Sequence, residues 1–271
     1  MADIELKCTD VGAGSPAVVL IHGFSSGPED WAAQADHLSS RHRVISVALR
    51  GHGISERGAA PMSMEQLATD CLEILKDKGI DSAILAGHSM GTRVAIEAQR
   101  QSPSLVKGLI LMDGSNSTSQ SDLKTALAGF EAGIGKLGYA GFAKMLFAQM
   151  FYHSKHDALK ERYITRALNV PEEIGSPLYK NLITWDGTVT REALQAAKIP
   201  ILVVQSTTRD AKGGRRALEP GEVGAYESFV SEHAPHADVV GMPGLGHYTM
   251  IEAPTEVNAT IDKWLDQHTL R

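Results

Sequence analysis

Five residues in the first half of the chain, Gly87-His88-Ser89-Met90-Gly91, constrain its fold and chemistry more than any other segment. They follow a short apolar run, residues 83–86, that predicts a buried strand, and they precede residues 92–98, which predict a helix. Glycines on both sides of a serine permit a turn that is too tight for side chains. A strand–turn–helix of this kind presents the serine hydroxyl beside the free N–H groups of the helix start. The segment therefore predicts a nucleophilic serine, Ser89.

A second motif, Gly244-Leu245-Gly246-His247, supplies a base for that serine. It follows a strand-like run at residues 237–241, so the histidine should project over the same edge of a parallel sheet. A serine is a weak nucleophile unless a base lies within hydrogen-bond reach, and His247 is the best candidate for that base. Of the other histidines, His88 is expected to shape the turn, and those in glycine-rich turns are expected to be structural.

An acid that orients His247 is predicted at one of two positions. Asp113 closes the apolar run 106–112, which places it at the carboxyl end of a strand beside the serine strand. Asp210 follows the run 201–204, in a basic loop that contains Lys212, Arg215 and Arg216, where a surface ion pair is an equally good interpretation. Asp186 is a distant third candidate.

Composition narrows the class of protein. The chain has 271 residues, a net charge of −6 and 43% apolar residues, which suits one α/β domain with an insertion and argues against a nucleic-acid surface. Its two cysteines have no metal-ligand spacing, and no run is long enough to span a membrane, so we expect a cytoplasmic protein. Metal-ligand clusters and nucleotide-binding loops are not evident in the sequence, and the expected chemistry needs no cofactor and no metal.

Strand-like runs alternate with helical periodicity, which predicts an α/β fold with a parallel sheet. Strands are expected at 17–21, 44–47, 106–112 and 199–204, and helices at 30–40, 64–78 and 254–268. This alternation of strand and helix patterns stops between residues 115 and 190. That segment has a helical, apolar pattern with glycines that suggest bends. We interpret residues 115–190 as a helical cap on a core domain formed by residues 1–114 and 191–271. The substrate pocket is predicted to be lined by Phe24, Phe142, Met145 and Met150.

Several motifs together resemble the α/β-hydrolase superfamily. They are the serine pentapeptide, His22-Gly23-Phe24 after the first parallel strand, the turn at residues 50–55 (Arg-Gly-His-Gly-Ile-Ser), and Gly246-His247 with the Glu-Ala-Pro at residues 252–254. The resemblance implies a mostly parallel sheet flanked by helices, with the cap inserted after the family's sixth strand position. It also implies an oxyanion hole formed by the backbone N–H groups of Phe24 and Met90.

In most of this superfamily the triad acid follows the later strand, in a short Gly-x-x-Asp loop. That glycine is missing before Asp210, and the loop is long and basic, so the comparison favours Asp113 over Asp210.

The activity that these motifs imply is hydrolysis of a carboxylic ester or lactone of a small, largely apolar molecule through an acyl-enzyme. Relatives with the same residues cleave amides or C–C bonds or act as perhydrolases, and a non-catalytic small-ligand receptor is a further alternative. The expected partner is a small-molecule substrate. A homo-oligomer is compatible with the sequence, whereas a membrane or nucleic-acid partner is not expected.

Overall fold

A seven-stranded sheet forms the centre of the computed structural model, which describes residues 4–116, 118–210 and 213–270. The strand order is β1-β3-β2-β4-β5-β6-β9, and only β1 is antiparallel to its neighbour. The strands are β1 (Cys8–Val11), β2 (Ala17–Ile21), β3 (Val44–Val47), β4 (Ala83–His88), β5 (Val106–Met112), β6 (Ile201–Gln205) and β9 (Asp238–Gly241). The predicted mostly parallel α/β sheet is therefore confirmed.

Ten α-helices accompany the sheet in the described residues. They are α1 (Ala32–Leu38), α2 (Met64–Asp77), α3 (Met90–Gln101), α4 (Leu123–Phe147), α5 (Asp157–Leu168), α6 (Glu172–Thr188), α7 (Thr190–Ala196), α8 (Ala225–His233), α9 (Thr249–Glu252) and α10 (Pro254–Gln267). Short 3-10 helices span Pro28–Trp31 and Ser154–His156. A separate antiparallel hairpin pairs β7 (Thr207–Arg209) with β8 (Arg215–Ala217). Within the described ranges, no helix is both long and apolar enough to cross a membrane.

The central strands β2, β4 and β6 are buried along their whole length, and β5 is buried except at Lys107. Continuous apolar runs suit strands covered by helices on both faces, because neither face meets water. Their carboxyl ends meet at one edge of the sheet, where the loops after β2, β4 and β5 lie side by side. This edge holds the predicted nucleophile, oxyanion loop and acid.

A helical insertion, defined here as α4 to α7, joins β5 to β6. Of the four glycines at which bends were expected (Gly133, Gly135, Gly138 and Gly141), only Gly138 leaves the helical conformation, with φ +67°. The helix α4 packs against α5 and α6. The insertion follows the fifth strand in chain order, and the domain limits at residues 115 and 190 stay a prediction.

Candidate active site

Ser89 occupies the sharp turn between β4 and α3. Its φ of +54° and ψ of −112° are unusual for a non-glycine residue. The flanking glycines are sterically required: a Cβ on Gly87 would lie 2.1 Å from the Gly91 carbonyl oxygen, and one on Gly91 would lie 2.4 Å from that of Ile21. The tight packing therefore holds Ser89 in a strained conformation at the start of a helix.

His247 lies in the loop between β9 and α9, and two backbone hydrogen bonds position it. Its N–H donates to the carbonyl of Met150 at 2.8 Å, which ties the loop to the chain just after α4. Its own carbonyl accepts from His88 Nε2 at 2.8 Å. The His247 side chain is buried, yet its ring lines the same cavity as Ser89.

Asp113 meets His247 at the end of β5. The Nδ1–H of His247 donates to Asp113 Oδ2 at 2.5 Å, since an ionised carboxylate only accepts. The backbone N–H groups of Ser206 and Thr207 donate to the other carboxylate oxygen at 2.8 Å each, and Thr207 Oγ1 donates to Oδ2 at 2.6 Å. The residues that follow β6 thus supply donors for an acid carried by β5. Sequence reasoning missed this role of Ser206 and Thr207.

Asp210, the alternative acid, lies elsewhere. It is exposed in the β7–β8 turn, where its carboxylate accepts from the N–H of Gly214 at 2.9 Å. Lys212 lies outside the described residues. Arg216 forms an ion pair with Glu222, whereas Arg215 turns inward, so the expectation of one basic surface loop is wrong for Arg215.

The remaining candidate, Asp186 of α6, forms a buried ion pair with Arg93 of α3. Two nitrogens of the guanidinium donate to the two carboxylate oxygens at 2.7 Å each. The same guanidinium donates to the carbonyl of Ser89 at 3.2 Å and to that of Ser115 at 2.5 Å. This ion pair joins the insertion to the helix and strand that carry the predicted nucleophile and acid.

Electrostatics favour an ionised Asp113 beside a neutral His247. Burial alone would raise the pKa of Asp113, but the hydrogen bond and charge of His247, with the charge of Arg215, lower it to about 2. Burial lowers the pKa of His247, and the cation of Arg215 lowers it further, against the opposing effect of Asp113. At neutral pH the His247 ring is therefore uncharged and able to accept a proton at Nε2.

Ser89 and His247 open into a cavity of about 470 Å³ between the sheet edge and the helical insertion. Its apolar wall combines the predicted Phe24 and Met150 with residues of α4 and α6: Leu146, Phe147, Tyr179 and Leu182. Sequence periodicity alone could not show which face of each helix points into the cavity.

Two predicted pocket residues do not line this cavity. Met145 is 46% exposed on the outer side of α4, so its prediction is wrong. Phe142 packs within the insertion, with its ring 5.3 Å from that of Phe130 and 4.9 Å from that of Tyr179. Its burial serves the insertion's own core, and the prediction that it lines the pocket is also wrong.

The predicted oxyanion donors flank the nucleophile. Phe24 lies in the loop after β2, and Met90 is the first residue of α3. Neither backbone N–H donates to an acceptor within the described parts of the chain. A helix start leaves such groups without helical partners, which suits an anion there. In the described ranges, no group of three or more His, Cys, Asp or Glu side chains is arranged to hold a metal ion.

Residues 18–260 match the model of the alpha/beta hydrolase family, and the chain belongs to this family. Among curated relatives, the dihydrolipoyllysine-residue acetyltransferase component of the acetoin cleaving system of Pseudomonas putida is 27% identical over 95% of this chain. The chain spans only 65% of that relative's length. The (E)-2-((N-methylformamido)methylene)succinate hydrolase of Acinetobacter baylyi is 23% identical, over 94% of this chain and 92% of its own.

Solved structures share the same fold. A thermophilic esterase from Thermogutta terrifontis, studied with malate bound, is 26% identical, with a TM-score of 0.79 over 98% of this chain and 94% of its own. The enol-lactonase of Burkholderia xenovorans is 20% identical, with a TM-score of 0.77 over 98% of both chains, a likeness that shows the fold alone.

Proposed function

We propose that this chain is a cofactor-independent serine hydrolase that cleaves a carboxylic ester or lactone through an acyl-enzyme. The observation that carries the proposal is the 2.5 Å hydrogen bond from His247 to Asp113, with both Ser89 and His247 lining one cavity. An esterase of the same fold, 26% identical to this chain, supports this reaction class. A receptor that binds without turnover would need neither a strained serine nor a buried, carboxylate-oriented histidine.

In this mechanism Ser89 Oγ attacks the ester carbonyl carbon while His247 Nε2 takes the hydroxyl proton. Asp113 keeps the proton of His247 on Nδ1 and stabilises the imidazolium that forms. The N–H groups of Phe24 and Met90 stabilise the oxyanion of the tetrahedral intermediate. His247 then protonates the departing alkoxide, which leaves an acyl group on Ser89. Water, deprotonated by His247, attacks the acyl carbon and forms a second tetrahedral intermediate. When this intermediate collapses, the carboxylic acid is released and His247 returns the proton to Ser89 Oγ.

Substrate fit follows from the cavity wall. Phe24, Phe147, Met150 and Leu182 provide an apolar surface against which a short acyl chain or ring can pack, at about 0.8 kcal/mol for each buried methylene.

Covalent labelling tests the proposal directly. A fluorophosphonate should add once per chain, to Ser89, because among the serines of the described residues Ser89 alone lies at a helix start and shares a cavity with His247. Peptide mass mapping identifies the site, and hydrolysis of p-nitrophenyl butyrate should stop as labelling completes. Ser89→Ala should abolish both, whereas Ser104→Ala, at an exposed serine, should leave labelling intact. Labelling elsewhere, with hydrolysis persisting in Ser89→Ala, refutes the assignment.

The acid limb of the pH profile should depend on Arg215. Because His247 must be neutral to act as a base, kcat/KM for a neutral ester should fall as pH drops through its lowered pKa, below the ordinary value of 6.5. In Arg215→Met the cation that lowers this pKa is gone, so the limb should move to higher pH. Arg216→Met, which removes a hairpin charge paired with Glu222, should leave the limb in place. An unmoved limb in Arg215→Met contradicts this assignment of charge effects.

A further inference from the structure

The cavity that holds Ser89 carries positive charge on its wall. Three arginines line it, Arg93, Arg209 and Arg215, and no aspartate or glutamate is among its lining residues in the described chain. Arg93 is buried and the Arg215 side chain is 9% exposed, so each needs a partner within the protein. Arg209 is exposed, and it also lines the cavity.

Two of these arginines lie within ion-pair distance of carboxylates that do not themselves line the cavity. Arg93 pairs with Asp186 at 2.7 Å, and both side chains are almost fully buried. Arg215 is 9% exposed, donates to Thr207 Oγ1 at 2.6 Å and lies 3.4 Å from Asp113. Each of these arginines thus faces a carboxylate, although Arg215 shares Asp113 with His247.

Arg209 differs from both. Its Nη1 donates to the carbonyl of Gly213 at 2.8 Å, and no carboxylate in the described residues lies within ion-pair distance of it. Burial is the largest cause that lowers the pKa of His247 and of Arg215, and the charge of Arg209 lowers both pKa values further. The cavity consequently has one positive charge in excess, at the end formed by the β7–β8 hairpin.

The hairpin end joins the main cavity to a second one. Arg209, Arg215 and Ser115 line both the main cavity and a neighbouring one of about 380 Å³. The second cavity adds Asn116 and Thr208, whose side chains offer further polar atoms. The two arginines therefore stand at the junction of the two cavities.

We propose that the substrate carries a carboxylate at the end away from its scissile bond, and that Arg209 and Arg215 bind it at this junction. The inference rests on the proposed function and refines it, from a largely apolar ester or lactone to one with an apolar body and one anionic end. Guanidinium groups match the geometry of a carboxylate and bind it by paired hydrogen bonds. A single excess charge suits a monoanion better than a phosphate dianion. The roles are those of specificity-determining residues.

A matched pair of esters tests this proposal. p-Nitrophenyl butyrate and mono-p-nitrophenyl succinate share a leaving group and chain length and differ by a methyl against a carboxylate. After subtraction of enzyme-free hydrolysis, kcat/KM should be at least about tenfold higher for the succinate ester. Arg209→Gln should reduce this ratio about tenfold. Arg216→Gln removes the same charge from the same hairpin outside the cavity, and should keep the ratio.

Binding provides a readout that does not depend on turnover. Calorimetry on Ser89→Ala should show monomethyl succinate binding at least about tenfold more tightly than methyl butyrate, and the added change Arg209→Gln should remove the difference. Equal binding and equal hydrolysis of the paired ligands overturn the carboxylate site but leave the hydrolase standing. Carboxylate-selective binding without labelling of Ser89 or hydrolysis of either ester overturns the proposed function and leaves the site standing.

Discussion

Asp113→Asn is expected to lower kcat for ester hydrolysis by about 10⁴-fold, as loss of the correct histidine tautomer does in serine triads. An amide at this position presents an N–H to the ring or an oxygen without full charge, so His247 is no longer oriented and its imidazolium is not stabilised. Asp210→Asn should change kcat by less than about twofold, because that exposed carboxylate lies away from the cavity. Steady-state kinetics on p-nitrophenyl butyrate measure both.

The folded state must be compared in the same variants, since the Asp113 carboxylate also accepts from two backbone N–H groups. Circular dichroism and stoichiometric binding of an apolar ester analogue serve as the controls. If Asp210→Asn is inactive while Asp113→Asn is nearly normal, the acid belongs to the hairpin, and the role given to the donors after β6 is wrong.

Breaking the Arg93–Asp186 ion pair should produce the largest loss of stability. Asp186→Leu leaves the buried guanidinium without its carboxylate, which should lower the free energy of unfolding by about 3–5 kcal/mol. In the double variant Arg93→Met/Asp186→Leu no charge is stranded, and most of that loss should be recovered. Urea denaturation followed by tryptophan fluorescence measures both values.

Glu131→Gln provides a matched comparison within the insertion. Its partner Lys180 and the glutamate itself are both more than half exposed, so this change should cost about 0–1 kcal/mol. A similar small cost for Asp186→Leu would show that α6 is not anchored to α3 through this ion pair.

Much of the fold could be predicted because each buried strand is a continuous apolar run in the sequence. The runs at residues 17–21, 44–47 and 106–112 coincide with β2, β3 and β5, since a strand covered on both faces must be apolar throughout. The helices predicted at 64–78 and 254–268 each end one residue earlier. The edge strand β1 was missed because three of its four residues are exposed and it has no continuous apolar run. The β7–β8 hairpin was missed because its strand residues are polar except Ala217.

The residues proposed to act in the site differ in the same way in how far the sequence predicts them. Ser89 and His247 stand in glycine-rich turns whose sequence reflects a local steric demand, so local patterns find them. Arg215 has no such signal: an arginine in a polar segment usually faces water, and only the way the hairpin folds against β5 brings it to Asp113. Likewise, the exposed Met145 and the buried Phe142 are close together on one apolar helix, and the sequence does not distinguish their faces.

The end of β6 and the end of β5 act together on the ring of His247. Ser206 and Thr207 direct two N–H groups at the place where His247 requires a negative charge, although the charge itself comes from the adjacent strand. The orientation of the imidazole depends on the position of the negative charge and not on the strand that supplies it. Two neighbouring strand ends therefore share the orientation of one ring: β5 supplies the carboxylate, and the end of β6 supplies the N–H groups that hold it.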